Sequence, residues 1–456
     1  MTASTEAPLR SVDEAIADVL SAVQAPLEAE MRAPEAALGR FLAAPATART
    51  DLPPWDNSAM DGYALRSGDT AHATAAQPVL LRVSGEVRAG RAPDGSIAPG
   101  RAFRIATGAM LPDGADAVVP VELTTAVDEK GGPVPRAARR ANGVARAGGV
   151  AHAGGPLPDG ILVTEAVPAG GSVRRRASDL RADTVVLVSG SLVTPAAVAL
   201  AAGAGIDGIA VHRRPRVGVL ATGDEVRPAG QALGPAGIPD ANGPGLRALV
   251  AAAGAEPIDL GIAGDRLEDV ESRLRRGLDG ADVIIVSGGV SVGPYDVVRA
   301  AFEAVGRVDL WRVAVQPGKP FAFGVADASA GRRALLFGLP GNPVSTAVTF
   351  ELFVRPALRK LAGGGDRGPA DDRAVLTERV TKGHGRRAYL RVVAERDEDG
   401  RVRRDDRGRV PVRLAGGQGS HVLSALAVAD ALAVVSEDTD SLDAGAEVAL
   451  HWLVPG

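Results

Sequence analysis

The chain contains no cysteine, which excludes disulfides, thiolate metal centres and thiol nucleophiles. Histidine is scarce, six in 456 residues, and none falls in an HxH or HExxH spacing. Any metal here should therefore be held by oxygens. There is no excess of positive charge: the formal net charge is −4. That argues against a nucleic-acid partner and against general attraction to an anionic membrane. No strongly apolar run reaches the roughly 18 residues that a membrane helix needs. The longest candidate, around 195–211, is mostly alanine and glycine. The opening MTASTEAPLRSVDEAIADVL lacks a basic stretch followed by an apolar core. No secretory signal is expected, and the default location is cytoplasmic.

What is present is enough for packed domains. Hydrophobic residues make up 46% and charged residues 23%, a globular composition. The length suggests about three domains. Ser11-Val12-Asp13-Glu14 reads as a capping box ahead of a first helix. Residues 76–127 alternate short apolar runs with Gly, Pro and Asp turns, the pattern of a small β-rich module. Residues 128–160 are dense in Gly, Ala, Pro and Arg without apolar periodicity, and read as a flexible loop or insertion. A basic binding arm is the weaker alternative there, because few aromatics lie nearby.

From Arg216 a βα rhythm begins. RVGVLAT, EPIDLGIA and ADVIIVSGG read as strands, each followed by a helical pattern. The apolar runs DLWRVAV and ALLFGLP come next, then a long last helix from about Pro343 to Leu361. This alternation predicts a mostly parallel sheet with helices on both faces. Gly363-Gly364-Gly365 reads as a linker, and the remainder as a second β module.

Four unusual loops follow strands of the α/β region: Thr222-Gly223-Asp224-Glu225, Gly264-Asp265, Ser287 to Gly293, and Gly338 to Pro343. Open α/β sheets bind ligands at the carboxyl ends of their strands. Gly288, Gly289 and Gly293 would let backbone N–H groups approach a ligand, with Ser287 and Ser291 beside them. Asn342 can cap the last helix and Pro343 can occupy its first turn, next to Pro340 and Gly341. That helix start is a second place for an oxyanion. Asp224, Glu225, Asp265 and Asp296 stand against these anion cradles. Carboxylates beside a phosphate repel it unless a cation lies between. Magnesium suits that position, held by one or two carboxylates and by substrate phosphates. Each residue also has a plainer reading. Asp296 can stabilise a helix start, Asp265 can be an N-cap, and Glu225 can be a solvated turn residue. Lys319 can neutralise an oxyanion or lie at the surface of a Pro/Gly turn. Ser420 can contact a ligand or merely serve a turn. The polar stretches Pro53–Ala64, Arg104–Pro112 and Val173–Asp179 are assigned nothing by pattern alone.

PPWDNSAMDGYA, RIATGA, TGDE, VSGGVSVGPYD, PGKPFAFG and GLPGNPVS occur together, in the order seen in molybdopterin molybdenumtransferases. The chain resembles this family, MoeA, whose eukaryotic relative is gephyrin, over nearly its whole length. The resemblance implies a transferase that takes adenylylated molybdopterin and molybdate as substrates. In a magnesium-dependent step it would release AMP and place molybdenum on the dithiolene. By motif position Asp61, Thr107, Asp179, Glu225, Asp265 and Asp296 resemble the family's functional polar residues. Glu225, Asp265 and Asp296 are the metal ligands expected. Thr222, Gly223, Ser287, Gly288, Gly289, Ser291, Gly293, Lys319, Pro340, Gly341, Asn342, Pro343 and Ser420 are the substrate-binding set.

The resemblance also implies an elongated homodimer of four-domain subunits, with a site shared between subunits and the Asp61 stretch completing it in trans. The division expected is 1–50 plus 173–212 as a helical and linker domain, 51–172 as a β-rich domain, 213–364 as the α/β domain and 370–456 as a small β-barrel. Protein partners in this picture are the upstream adenylyltransferase and the molybdoenzyme apoproteins. The chain departs from the family at Arg312 and Gln316, where lysines are frequent. Gln316 removes a charge and puts its part in oxyanion binding in question. A scaffold protein of the gephyrin type without turnover, and the adenylyltransferase itself, are the competing readings.

Overall fold

The computed structural model describes residues 9–134, 140–141, 144–145, 156–289, 297–366 and 372–453. They form two compact units. One comprises Met1–Ala44, Ser189–Thr194 and Ala210–Gly456; the other comprises Pro45–Val188 and Pro195–Ile209.

The first unit opens with the helix Val12–Ala22, capped as expected. Ser11 accepts from the Glu14 backbone N–H, and Glu14 reaches back to the Ser11 N–H. Such a cap contributes about 1 kcal/mol. The βα region follows the sequence rhythm closely. Its elements are β1 (Arg216–Thr222), α1 (Asn242–Ala252), β2 (Glu256–Ala263), α2 (Leu267–Leu278), β3 (Val283–Ser287), α3 (Val297–Val305), β4 (Gly306–Arg312), β5 (Pro320–Asp327) and β6 (Arg333–Leu339). The sheet order is β2-β1-β3-β6-β5-β4. The first four strands are mutually parallel, and β5 runs antiparallel to both its neighbours.

Side-chain alternation along each strand feeds two cores. On β3, Val283 and Ile285 join one cluster, together with Leu246 and Val250 of α1 and Val12, Ala15 and Val19 of the first helix. Ile284 and Val286 join the other, with Val270 and Leu274 of α2 and Phe302 of α3. A strand buried on both faces must read as continuous β-branched sequence, as VIIV does.

The last helix is one helix with a defect. Pro343–Thr349 and Arg355–Leu361 are α-helical, and Phe350–Val354 between them is a π turn. Pro356 cannot donate back to the preceding turn, and widening that turn accommodates the lost bond. The C-terminal region is a closed five-stranded barrel. Asp372–Leu376, Arg387–Ala394, Val410–Leu414, Ala431–Val435 and Glu447–Trp452 pair around a ring. Closure removes the free edges that so short a sheet would otherwise expose.

The second unit carries a curled, mixed six-stranded sheet. Its order is Ala117–Pro120, Gly62–Leu65, Arg101–Ile105, Val79–Val87, Gly160–Val163, Thr124–Val127. At Gly62 a Cβ would lie 2.0 Å from the Val119 carbonyl oxygen, so only glycine permits this strand pairing. Most of the expected insertion at 128–160 lies outside the described residues.

Candidate active site

The four parallel strands of the α/β sheet are neighbours, and their ends are level. Ala221 pairs with Ser287, Thr222 with Ala263, and Ser287 with Leu339. The loops after β1, β2, β3 and β6 therefore rise from one edge of the sheet. They border a cleft of about 640 Å3 whose lining includes Thr222, Glu225, Asn242, Asp265, Gly288 and Gly341. The convergence read from the sequence is thus a fact of the sheet's register.

The cleft floor is built from backbone and neutral amides. Gly288 and Gly289 have φ of +100° and +63°, which only glycine adopts without strain. A Cβ on Gly288 would meet the Thr222 carbonyl and hydroxyl oxygens at 2.8 Å. Thr222 donates to the Ser287 carbonyl at 3.3 Å. Asn242 donates from Nδ2 to Ser287 Oγ and to the Gly341 carbonyl, each at 2.7 Å. Ser287 Oγ donates onward to the Pro340 carbonyl at 3.4 Å, and the Thr346 hydroxyl is bonded to the same oxygen at 2.5 Å.

Carboxylates stand on the cleft wall. Glu225 folds back over Gly223, where a Cβ would lie 2.7 Å from both its carboxylate oxygens. Asp224 and Asp265 hold each other's loops: the Asp265 N–H donates to Asp224 Oδ1 at 3.1 Å and the Asp224 N–H to Asp265 Oδ2 at 3.3 Å. The reading of Asp265 as a helix cap fails. Arg266 occupies the N-cap position of α2 without a side-chain bond, and Asp269 reaches back instead to the Gly264 N–H at 3.0 Å. Among the described residues no group of three or more acidic or imidazole side chains is placed to hold a metal ion. Glu225 and Asp265 are two exposed carboxylates lining one cleft. That pair suits magnesium, which takes one or two protein carboxylates and completes its shell with water and phosphate. Asp296, Ser291 and Gly293 lie outside the described residues.

The proline loop differs from expectation in one respect. Asn342 occupies the N-cap position, but its side chain makes no cap bond. It donates instead to Ser420 Oγ at 3.1 Å, and the Val344 N–H donates to the Ser420 carbonyl at 3.2 Å. The barrel loop thereby takes over the capping role, and Pro343 sits in the first turn as expected. Lys319 does not line the cleft. Gln316 closes the short pairing of Val315–Gln316 with the barrel strand, opposite Ala388, and its Oε1 is buried without a partner among the described residues.

Two residues escaped the sequence reading, the cleft-floor Asn242 and the buried Arg391. Arg391 is 1% exposed and carries no carboxylate partner among the described residues. Its Nη2 donates to the carbonyls of Gly417 (3.1 Å) and Gly419 (3.2 Å), while its Nε is buried and unpartnered. Burial disfavours its charged form. It thus supports the loop that bears Ser420. The only signal in the sequence was a lone arginine inside the apolar strand YLRVVA.

In the second unit Asp61 and Thr107 do meet. Asp61 Oδ1 accepts from the Thr107 N–H at 2.7 Å and from its hydroxyl at 2.8 Å. The nearby Asp56 is held by Arg175 Nη1 and the Arg176 N–H, both at 2.7 Å. Its carboxyl is lowered from the ordinary range, the Arg176 N–H being the largest cause. Asp179 is exposed, and its own N–H donates to the Leu52 carbonyl at 3.0 Å.

Similarity to known proteins accords with this arrangement. Residues 10–205 match the MoeA N-terminal region (domain I and II), 218–360 a probable molybdopterin-binding domain, and 373–453 the MoeA C-terminal region (domain IV). The molybdopterin molybdenumtransferase 2 of Mycobacterium tuberculosis is 36% identical over 418 residues, covering 90% of this chain and 92% of that protein. The molybdopterin molybdenumtransferase of Haemophilus influenzae is 32% identical over 443 residues, covering 97% and 98%. A crystal structure of the molybdopterin biosynthesis MoeA protein of Pyrococcus horikoshii aligns with a TM-score of 0.73 at 30% identity, covering 98% of this chain and all of that one. With these matches spanning both units and every loop of the cleft, the chain belongs to the MoeA family of molybdopterin molybdenumtransferases.

Proposed function

We propose that this protein inserts molybdenum from molybdate into adenylylated molybdopterin, releasing AMP and yielding molybdenum cofactor. The observation that carries this is the level edge of the parallel sheet. It sets backbone cradles suited to a phosphoanhydride against two carboxylates, Glu225 and Asp265, that have no arginine partner among the described residues. Phosphoanhydride cleavage asks for charge neutralisation and positioning more than for a protein nucleophile. Glu225 and Asp265, with Asp296, would hold magnesium, which supplies that neutralisation when bound. The Gly288-Gly289 backbone and the helix start at Pro343 would orient the phosphates. The buried Arg391, through the Ser420 loop, supports a place for the molybdate oxyanion beside them.

The metal-binding sulfurs belong to the pterin, so the absence of cysteine is no obstacle. A cytoplasmic homodimer belongs to the same proposal. In it Asp61, Thr107 and Asp179 of one subunit complete the cleft of the other, within the four-domain division expected above. Among the described residues no helix is long and apolar enough to cross a membrane.

The test is direct. Purified protein given adenylylated molybdopterin, magnesium and molybdate should release AMP and reconstitute a molybdoenzyme apoprotein. Intact substrate binding with no AMP would leave a gephyrin-like scaffold, the reading that Gln316 favours.

A further inference from the structure

The amide of Asn242 joins parts of the cleft that the sequence keeps far apart. It is the first residue of α1, and both its N–H bonds are spent on the cleft's own framework: Ser287 Oγ at the end of β3 and the Gly341 carbonyl after β6. The Gly341 oxygen can only accept, so the amide orientation is fixed by the network. That leaves Oδ1 as the one polar side-chain atom of Asn242 with no partner among the described residues, on a half-buried residue that lines the cleft.

The segment leading to Asn242 is itself strapped to the loop bearing Glu225. The Ile238 N–H donates to the Glu225 carbonyl at 2.8 Å and the Asp240 N–H to the Arg227 carbonyl at 2.7 Å. Asp240 then receives the Gly243 N–H at 2.8 Å. Asn242 is therefore held from both sides with little freedom to turn.

A neutral carbonyl oxygen repels phosphate oxygens and attracts hydrogen-bond donors. We propose that Asn242 is a substrate-positioning residue, whose Oδ1 accepts a hydrogen bond from an N–H or O–H of the bound substrate while its amide clamps the two anion loops together. The inference rests on the molybdopterin reading above. Two parts of adenylylated molybdopterin carry such donors: the pterin ring with its amino and amide N–H groups, and the adenosine with its hydroxyls and amino group.

The experiment separates them. Binding of molybdopterin and of AMP is measured by titration calorimetry on the full-length protein in EDTA, so that no metal can bridge Oδ1 to a phosphate. Asn242→Ala and the volume-keeping Asn242→Leu are compared with the natural protein, and thermal midpoints are recorded alongside. One ligand should bind about tenfold more weakly to both variants. The other should lose clearly less, only what removing the clamp costs both ligands, and the melting temperature should hold. A larger loss on molybdopterin assigns the pterin as donor; a larger loss on AMP assigns the nucleoside. Equal loss of both, or loss of neither, overturns the proposal, because a clamp without a reading oxygen disturbs both ligands alike. If the natural protein binds neither molybdopterin nor AMP, the functional reading itself falls.

Discussion

The two ends of the α/β sheet treat carboxylates in opposite ways. At the amino end of β3, Asp282 is 4% exposed and fully committed. Arg213 grips it through two nitrogens at 2.6 and 2.7 Å, Arg332 adds a contact at 3.3 Å, and the Arg216 N–H donates at 2.8 Å. At the carboxyl end Glu225 and Asp265 are exposed and face no arginine among the described residues. A buried charge must be neutralised within the fold, whereas a charge at a cleft can wait for its partner from solution. Arg213 and Arg332 are spent on Asp282 at the structural end, and Glu225 and Asp265 at the other end stay available to a cation.

That contrast can be broken from either side. Asp282→Ala should cost about 3–5 kcal/mol of stability, because it strands Arg213 without its buried partner. Urea unfolding at neutral pH measures this, and a loss below 1 kcal/mol would mean the bottom of the sheet is no more demanding than the top. Asp265→Asn should do the reverse. Stability should stay within about 0.5 kcal/mol, while AMP release falls roughly a hundredfold or more. Added magnesium should recover part of the rate, and a variant that melts early instead would make Asp265 structural.

The smallest effect concerns a third carboxylate, in the barrel. Asp372 is lowered to about 2, first by the Arg404 guanidinium at 2.7 Å and further by the Arg373 N–H and the Trp452 indole, which together outweigh burial. Its folded value lies below its ordinary 3.8. Its contribution is therefore present above about pH 4 and lost as the pH falls toward 2. Thermal midpoints measured from pH 5 to 2 should decline, and Asp372→Asn should flatten part of that decline. An unchanged slope in the variant would show that other acids govern acid unfolding.

Much of the α/β layer was legible because burial on both faces leaves a strong mark. VIIV, RVGVLAT and the 3.6-residue pattern of LEDVESRLRRGL each map onto the elements that form. The glycine loops were legible too, since positive φ at Gly288 and Gly289 limits the residue that can stand there. The capping role of Ser420 was not legible. Asn342 is a good cap by type, and only the docking of a loop 78 residues later turns its amide outward. Arg391 and Asn242 were equally hidden, because a single polar residue has no period to betray its partner.

The order of strands and helices, the four loops with their chemistry and the likeness to a family lay in the sequence, because local propensity and alternation act over a few residues. Tertiary structure decided which of those loops stand together and which acids are left unpaired. Pairing β1, β3 and β6 in level register brings Thr222, Ser287 and Gly341 to one edge across more than a hundred residues of chain. Those distances are set by backbone hydrogen bonds between strands, which no short window of sequence contains.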